Sequence, residues 1–218
     1  MIMAGAAMAL AGCSGGLPKI PMPDLSALLP EQEVDFDPNP VPIFALYRGR
    51  IMAQAADGYC ADPQSSQPRR GFAIFASCKS LGVKDAKSVR SAIATVQVGR
   101  VGTAIVDDDP VTLAAVLQGP QGAAILAPSG ASDAVKVQDV AVDDARVTVV
   151  FDDTSPPAIR GAQAKEWRGF LDIADRLVTV TVRGLDKAPL SDAAGAALLQ
   201  KVMDGMVDIN TTQTVAAN

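Results

Sequence analysis

The residues best suited to chemistry in this sequence are carboxylates, and three of them are consecutive. Asp107, Asp108 and Asp109 stand directly before Pro110. Hard cations prefer clustered oxygen ligands, so the triplet is a candidate metal site. However, the spacing lacks the alternating aspartates of a calcium loop, and acidic residues followed by proline are typical of a helix start. The sequence therefore favours a structural role for the triplet and predicts a helix over residues 111–117.

The residue types that most catalytic sites require are missing. The chain of 218 residues has no histidine, which removes Ser-His-Asp and Cys-His sites and histidine-based acid–base catalysis. It also lacks Gly-x-Gly, P-loop and Cys-x-x-Cys motifs, so no nucleotide or thiol redox chemistry is indicated. We therefore predict no catalytic residue, no enzyme activity and no cofactor. A hydrolase that uses carboxylates, alone or with a metal at Asp107 to Asp109, is the alternative.

The first cysteine ends a short apolar run at the start of the chain. Leu10-Ala11-Gly12-Cys13 resembles the lipobox of bacterial lipoproteins, and it is followed by a small-residue segment that begins at Ser14. The run is shorter than the roughly 20 residues of a transmembrane helix, and no Lys or Arg precedes it. The resemblance implies that residues 1–12 are a signal peptide. It also implies that Cys13 carries the lipid, palmitate among its acyl chains, as the mature N-terminus.

The same resemblance implies a location. A lipoprotein is exported and anchored to a membrane, and here the domain would face the periplasm. In that family, Asp directly after the cysteine favours the inner membrane, so Ser14 favours the cell outer membrane. Because such a compartment is oxidising, we predict a disulfide between the remaining cysteines, Cys60 and Cys78. Closing this loop would stabilise the fold by about 3 kcal/mol. Two unpaired buried thiols are the alternative.

Residues 13–42 are rich in proline and acidic side chains, which is typical of an extended tether. We interpret this segment as a spacer between the lipid and the folded part. A docking peptide that uses Leu28, Leu29, Val34 and Phe36 is the other interpretation.

Residues 43–208 are predicted to be one α+β domain, followed by a flexible tail at 209–218. Alternating apolar residues predict antiparallel strands, and an apolar stripe after Ser191 predicts a C-terminal helix packed on the sheet. The predicted strands cover residues 43–48, 51–55, 71–77, 93–98, 135–142, 146–151, 167–173 and 177–182. This order of early strands, helical insertion, late hairpins and final helix resembles the PsbP/Mog1-like fold. The resemblance implies the fold alone and transfers no functional residue.

The net charge limits the classes of partner that the domain is expected to bind. The chain carries a formal charge of −5, so neither nucleic acid nor an anionic membrane surface is an expected partner. An envelope protein is the expected partner, and its candidate contact surface combines Tyr59, Arg69, Arg70 and Trp167, since exposed aromatic and arginine side chains are frequent hot spots. Trp167 can equally be a half-buried hairpin residue. The sequence thus predicts a non-enzymatic binding or accessory lipoprotein of the envelope; a structural protein without a specific ligand is a further alternative.

Overall fold

The computed structural model describes residues 39–128 and 130–216. The predictions for the signal peptide, for the lipidated Cys13 and for most of the tether lie outside the described residues. Nine strands and three α-helices are present in the described part. In chain order they are β1 (Ile43–Leu46), β2 (Ile51–Gln54), β3 (Tyr59–Ala61), β4 (Phe72–Ser77), β5 (Ala92–Val98), α1 (Pro110–Gln118), α2 (Pro120–Leu126), β6 (Val135–Asp143), β7 (Arg146–Asp153), β8 (Lys165–Asp172), β9 (Leu177–Gly184) and α3 (Asp192–Ala216).

Seven strands form one antiparallel sheet in the order β3-β4-β5-β9-β8-β7-β6, and β1 and β2 form a separate hairpin. Side chains alternate between the two faces of each strand, so every strand contributes to both faces. In β9, for example, Val178, Val180 and Val182 are fully buried, whereas Thr179 and Thr181 on the other face are only partly covered. This arrangement confirms the predicted α+β fold with an antiparallel sheet and a C-terminal helix.

One face of the sheet is covered by α3 and the β1–β2 hairpin. Trp167 of β8 is the largest side chain in this core, and 1% of it is exposed. A Cβ atom on Gly195 of α3 would overlap the indole ring, so the helix can lie close to the strand only with glycine at that position. Leu199, Val202, Met203 and Met206 continue the same buried stripe along the helix.

The opposite face is covered over only part of its width. The helices α1 and α2 pack against β6, β7 and β8, and their core contains Leu117, Leu126, Val149 and Phe151. Pro110 occupies the first turn of α1, and the side chain of Asp109 accepts a hydrogen bond from the Thr112 amide at 2.9 Å. The helix start predicted from Asp109 and Pro110 is therefore confirmed.

The predicted limits of the domain differ from those in the structure at both ends. The helix α3 continues to Ala216, so the predicted flexible tail is helical over residues 209–216. Asn210 explains part of this extension: its side chain accepts from the Met52 amide and donates to the Met52 carbonyl, which ties the helix to β2. At the other end, Val41 pairs with Ala61 and adds part of the predicted tether to the sheet.

The structure joins Cys60 of β3 to Cys78, directly after β4, by a disulfide. β3 is an edge strand of three residues, and the bond fixes it to the end of its neighbour. Within the described residues, no helix is long and apolar enough to cross a membrane.

Candidate functional site

The four residues predicted to form a contact surface are not brought together. Trp167 is a core residue, as described above, because Gly195 and the apolar stripe of α3 enclose its ring. Tyr59 is also buried, and its hydroxyl donates to the Arg90 carbonyl at 2.8 Å. Burial raises the pKa of this phenol, although the Arg90 charge opposes the shift. Neither aromatic side chain is therefore exposed as the predicted surface required, although Tyr59 lines the groove described below.

Arg69 and Arg70 are exposed and lie at the other end of β4 from Tyr59. They belong to the 3-10 turn Pro68–Arg70, which directly precedes β4, whereas Tyr59 pairs with Ser77 at the end of that strand. Arg70 donates to the Gln67 side chain at 3.3 Å. These two arginines remain accessible, but they form no common surface with the aromatic residues.

The predicted aspartate triplet divides between two roles. The hydrogen bonds from Thr112 to Asp109 at the start of α1 lower the pKa of that carboxyl. Asp107 lines a cavity of about 400 Å³ with Asp143, Asp144 and Asp172. Burial, the Asp172 charge and the Asp108 charge all raise the pKa of Asp107. Over residues 39–128 and 130–216, however, no three His, Cys, Asp or Glu side chains are placed to hold a metal ion.

A large concave surface is a groove beside α3, which we call the helix groove. It has a volume of about 780 Å³. One side is the exposed flank of α3, and the other side consists of the segments 54–59 and 87–90. Its lining residues are Gln54, Ala55, Ala56, Asp57, Tyr59, Lys87, Ser88, Val89, Arg90, Leu190, Ala194, Ala197, Leu198, Lys201, Asp204, Gly205 and Asp208.

Small side chains and charges alternate along the helix groove. Ala194, Ala197 and Gly205 present little side-chain bulk on this flank of α3; Ala197 is exposed and the other two are partly covered. Lys87 pairs with Asp57 at 2.6 Å in an exposed salt bridge that lowers the pKa of Asp57. Lys201 and Arg90 form no salt bridge in the described part of the chain, so two cations remain available in the groove.

A buried group of charges occupies the partly covered face of the sheet. We call Asp153, Glu166, Arg168 and Arg183 the ion cluster. Glu166 has 2% of its side chain exposed and accepts from both arginines: Nη2 of Arg168 lies 2.5 Å from Oε1, and Nε of Arg183 lies 2.5 Å from Oε2. Nη2 of Arg183 also lies 3.3 Å from Oδ2 of Asp153. Every acceptor oxygen of Glu166 is therefore engaged by a guanidinium.

The rest of the ion cluster is held by neighbours. Burial opposes ionisation of Asp153, but the hydrogen bonds from Ser155 and the charge of Arg183 outweigh it and lower the pKa. The Arg168 guanidinium lies over the Phe151 ring, 5.1 Å from its centroid. The two arginines and the two carboxylates thus give the ion cluster no net charge.

A third cavity, the sheet pocket, lies above the ion cluster and has a volume of about 230 Å³. Its floor is the uncovered half of the sheet, and its walls come from the loop after α2 and the loop before β8. The lining residues are Phe72, Ile93, Thr95, Pro128, Ala158, Ile159, Ala162, Glu166, Arg168, Thr181 and Arg183.

Sequence reasoning did not identify the ion cluster or either cavity. One signal was present: Glu166 directly precedes the predicted strand 167–173, and its spacing of two from Arg168 places both on one face once the strand extends to Glu166. Their partner Arg183 belongs to another strand, so the pairing became visible only with the sheet order.

No protein-family model matches the chain, and no curated protein matches its sequence. Solved structures that resemble it include a point mutant of Mog1, with 11% identity, a TM-score of 0.43 and coverage of 76% of this chain and 92% of that chain. The Saccharomyces cerevisiae Ran-binding protein Mog1p shows 10% identity, a TM-score of 0.43 and coverage of 79% and 94%. A STAR-related lipid transfer protein from Xanthomonas axonopodis shows 13% identity, a TM-score of 0.31 and coverage of 70% and 96%. We take these likenesses as faint and transfer no function from them.

Proposed function

We propose that the chain is a lipid-anchored envelope protein whose domain is a non-enzymatic binding module. The lipid is attached to Cys13, residues before Val41 tether the domain, and the domain faces the periplasm, with the outer membrane favoured by Ser14. Support comes from the lipobox-like segment and from the disulfide between Cys60 and Cys78, since structural disulfides persist in oxidising compartments.

The observation that carries the binding role is the helix groove. Its volume lies within the roughly 300–1,000 Å³ range of ligand sites, but it is an open channel beside a helix, which suits a chain segment. We propose that its occupant is a peptide segment of an envelope protein with small aliphatic side chains and one carboxylate. The aliphatic side chains contact Ala194, Ala197 and Leu198, and the carboxylate pairs with Lys201 or Arg90.

Charge complementarity is the reason for the carboxylate. Lys201 and Arg90 are the groove cations without a salt bridge in the described part of the chain, whereas Lys87 already has Asp57. The groove lining contains three basic and three acidic side chains, and a partner's carboxylate would pair with a cation that has no salt bridge there. Such complementarity contributes mainly to specificity and to association rate.

Site-specific photo-crosslinking in living cells tests the groove. A photoreactive residue at Ala197, which lines the groove, is expected to give a discrete crosslinked product. The matched control is Ala196, the preceding residue of α3, which is exposed but does not line the groove. The product at position 197 should weaken when Lys201 is changed to Glu. Equal products at positions 196 and 197, or a product insensitive to Lys201→Glu, contradict groove binding.

Mass spectrometry of the native N-terminus tests the anchor separately. We expect a mature chain that begins at a lipid-modified Cys13 and a Cys13→Ser variant that loses the modification and membrane association. A native chain that retains residues 1–12 without lipid contradicts the anchor but leaves the crosslinking result valid.

A further inference from the structure

The floor of the sheet pocket contains a row of three polar side chains from three strands. Thr95 of β5 pairs with Thr181 of β9, and Thr181 pairs with Arg168 of β8. Neighbouring strands lie about 4.8 Å apart, so these side chains stand next to one another on the same face. All three line the sheet pocket.

Each member of this row has unused hydrogen-bonding capacity. In the described part of the chain, the hydroxyls of Thr95 and Thr181 have no hydrogen-bond partner. Arg168 binds Glu166 through Nε at 2.7 Å and through Nη2 at 2.5 Å, and its Nη1 has no partner there. Two hydroxyls and one guanidinium with unused hydrogen-bonding capacity therefore belong to side chains that line the cavity.

The charge of the lining is positive although the ion cluster as a whole is neutral. Arg168, Arg183 and Glu166 line the sheet pocket, whereas Asp153 does not. The side chains of Arg168 and Arg183 are 16% and 12% exposed, so their charges are only weakly screened by solvent. An anion beside Arg168 would therefore face two guanidiniums and one carboxylate of the lining.

The remaining surface of the sheet pocket is mainly apolar. Phe72 and Ile93 form its floor beside the threonines, and Pro128 and Ile159 contribute to its walls. A volume of about 230 Å³ is smaller than the roughly 300–1,000 Å³ typical of sites for drug-sized ligands. The pocket therefore suits a small molecule with a single polar end.

We propose that the sheet pocket is a binding site for a small-molecule carboxylate with a short apolar body. The carboxylate accepts hydrogen bonds from Nη1 of Arg168 and from the hydroxyls of Thr181 and Thr95. The apolar body lies against Phe72 and Ile93. This site lies on the sheet face opposite α3, so it goes beyond the protein-binding role of the helix groove and does not depend on it.

NMR titration of the mature full-length chain with three probes tests the site. Hexanoate is the carboxylate probe, hexanamide is its uncharged counterpart, and acetate lacks the apolar body. We expect hexanoate to shift the amide resonances of Thr95, Thr181 and Ile159 and to bind at least about tenfold more tightly than hexanamide, because hydrogen bonds to charged groups are the stronger ones. Acetate should bind more weakly still, since each buried methylene contributes about fourfold in affinity.

Two isosteric variants separate recognition from folding. Thr181→Val removes one hydroxyl donor without changing shape, and about a tenfold loss of hexanoate affinity is expected. Thr179→Val is the matched control on the same strand and face, because Thr179 does not line the pocket. The proposal is overturned if hexanoate and hexanamide bind equally, if no amide of the pocket shifts, or if the two valine variants lose affinity equally.

Discussion

Glu166 holds two buried arginines together, and its neutralisation gives a quantitative test of the ion cluster. In Glu166→Gln the two guanidiniums keep Asp153 as their only carboxylate, so one cation in the fold loses its counterion. Removing one partner of a buried ion pair costs about 3–5 kcal/mol. The two arginine side chains are 12% and 16% exposed, so partial hydration favours the lower limit, and we expect a loss of about 3 kcal/mol in the free energy of unfolding.

Urea unfolding monitored by Trp167 fluorescence measures this loss. With an m-value of about 2 kcal/mol per molar, the midpoint should fall by about 1.5 M. Lys165→Gln is the matched control on the same strand: Lys165 pairs with Asp192 at 2.7 Å, but the two side chains are 26% and 77% exposed. Exposed pairs contribute about 0–1 kcal/mol, so this variant should hardly shift the midpoint.

A double variant decides whether the lost counterion is the cause. Glu166→Gln combined with Arg168→Met leaves Arg183 paired with Asp153, which again balances the charges. The double variant should therefore be more stable than Glu166→Gln alone. A single variant that loses less than about 1 kcal/mol, the size of an exposed pair, refutes the reasoning. A double variant less stable than the single one refutes it too.

Three further predictions concern packing, the disulfide and pH. Gly195→Ala should lower the free energy of unfolding by about 1–3 kcal/mol, because the added methyl overpacks against Trp167. In Gly205→Ala the added Cβ would lie 3.5 Å from its nearest neighbour, so the free energy of unfolding should rise by up to about 1 kcal/mol from helix propensity. Replacing Cys60 and Cys78 by Ala opens a loop with a sequence separation of 18 and should cost about 3 kcal/mol. Asp107→Asn should stabilise the protein slightly at neutral pH, by at most about 0.5 kcal/mol after solvent screening, and the gain should vanish in acid.

The sign of the pH effect follows from linkage. The folded state raises the pKa of Asp107 above its ordinary value of 3.8, so it binds the proton more tightly than the unfolded chain does. The native carboxylate therefore costs stability above its folded pKa, and the cost disappears as pH falls to 3.8 and below. Chemical denaturation of all these variants at several pH values measures each effect. The packing argument is contradicted if the two glycine variants change stability equally. The disulfide argument is contradicted if the unfolding midpoint stays unchanged without the bond, and the linkage argument is contradicted if Asp107→Asn stabilises the protein equally at every pH.

The strands were predictable because their signal is local. In β7 the buried residues Val147, Val149 and Phe151 alternate with partly exposed ones. This period of two can be recognised in the sequence without knowing which strand is the neighbour. Asp109 and Pro110 likewise mark the start of α1 within one turn. The disulfide followed from having two cysteines left in a chain predicted to be exported, and the register of β3 and β4 then brings Cys60 and Cys78 together.

The candidate site could not be predicted because it depends on which strands are neighbours. Arg183 and Glu166 are 17 residues apart in sequence, and they meet only because β8 and β9 pair. The burial of Trp167 is not predictable from its own strand, because Gly195, far along the chain, makes room for its ring. The full length of α3 depended similarly on the contact of Asn210 with Met52.

The sheet order also has a kinetic consequence. β3, β4 and β5 are consecutive neighbours, and so are β6 to β9, so each group can assemble by hairpins between adjacent segments. The only ladder between the groups joins β5 to β9, whose paired residues are about 80 to 90 positions apart. The entropy cost of closing so long a loop arises before the ladder contributes any stabilising free energy. Non-local pairing of this kind therefore slows folding. Formation of the β5–β9 ladder is therefore the step that we expect to limit the folding rate. Substitutions in this ladder should change the folding rate more than substitutions in the outer hairpins.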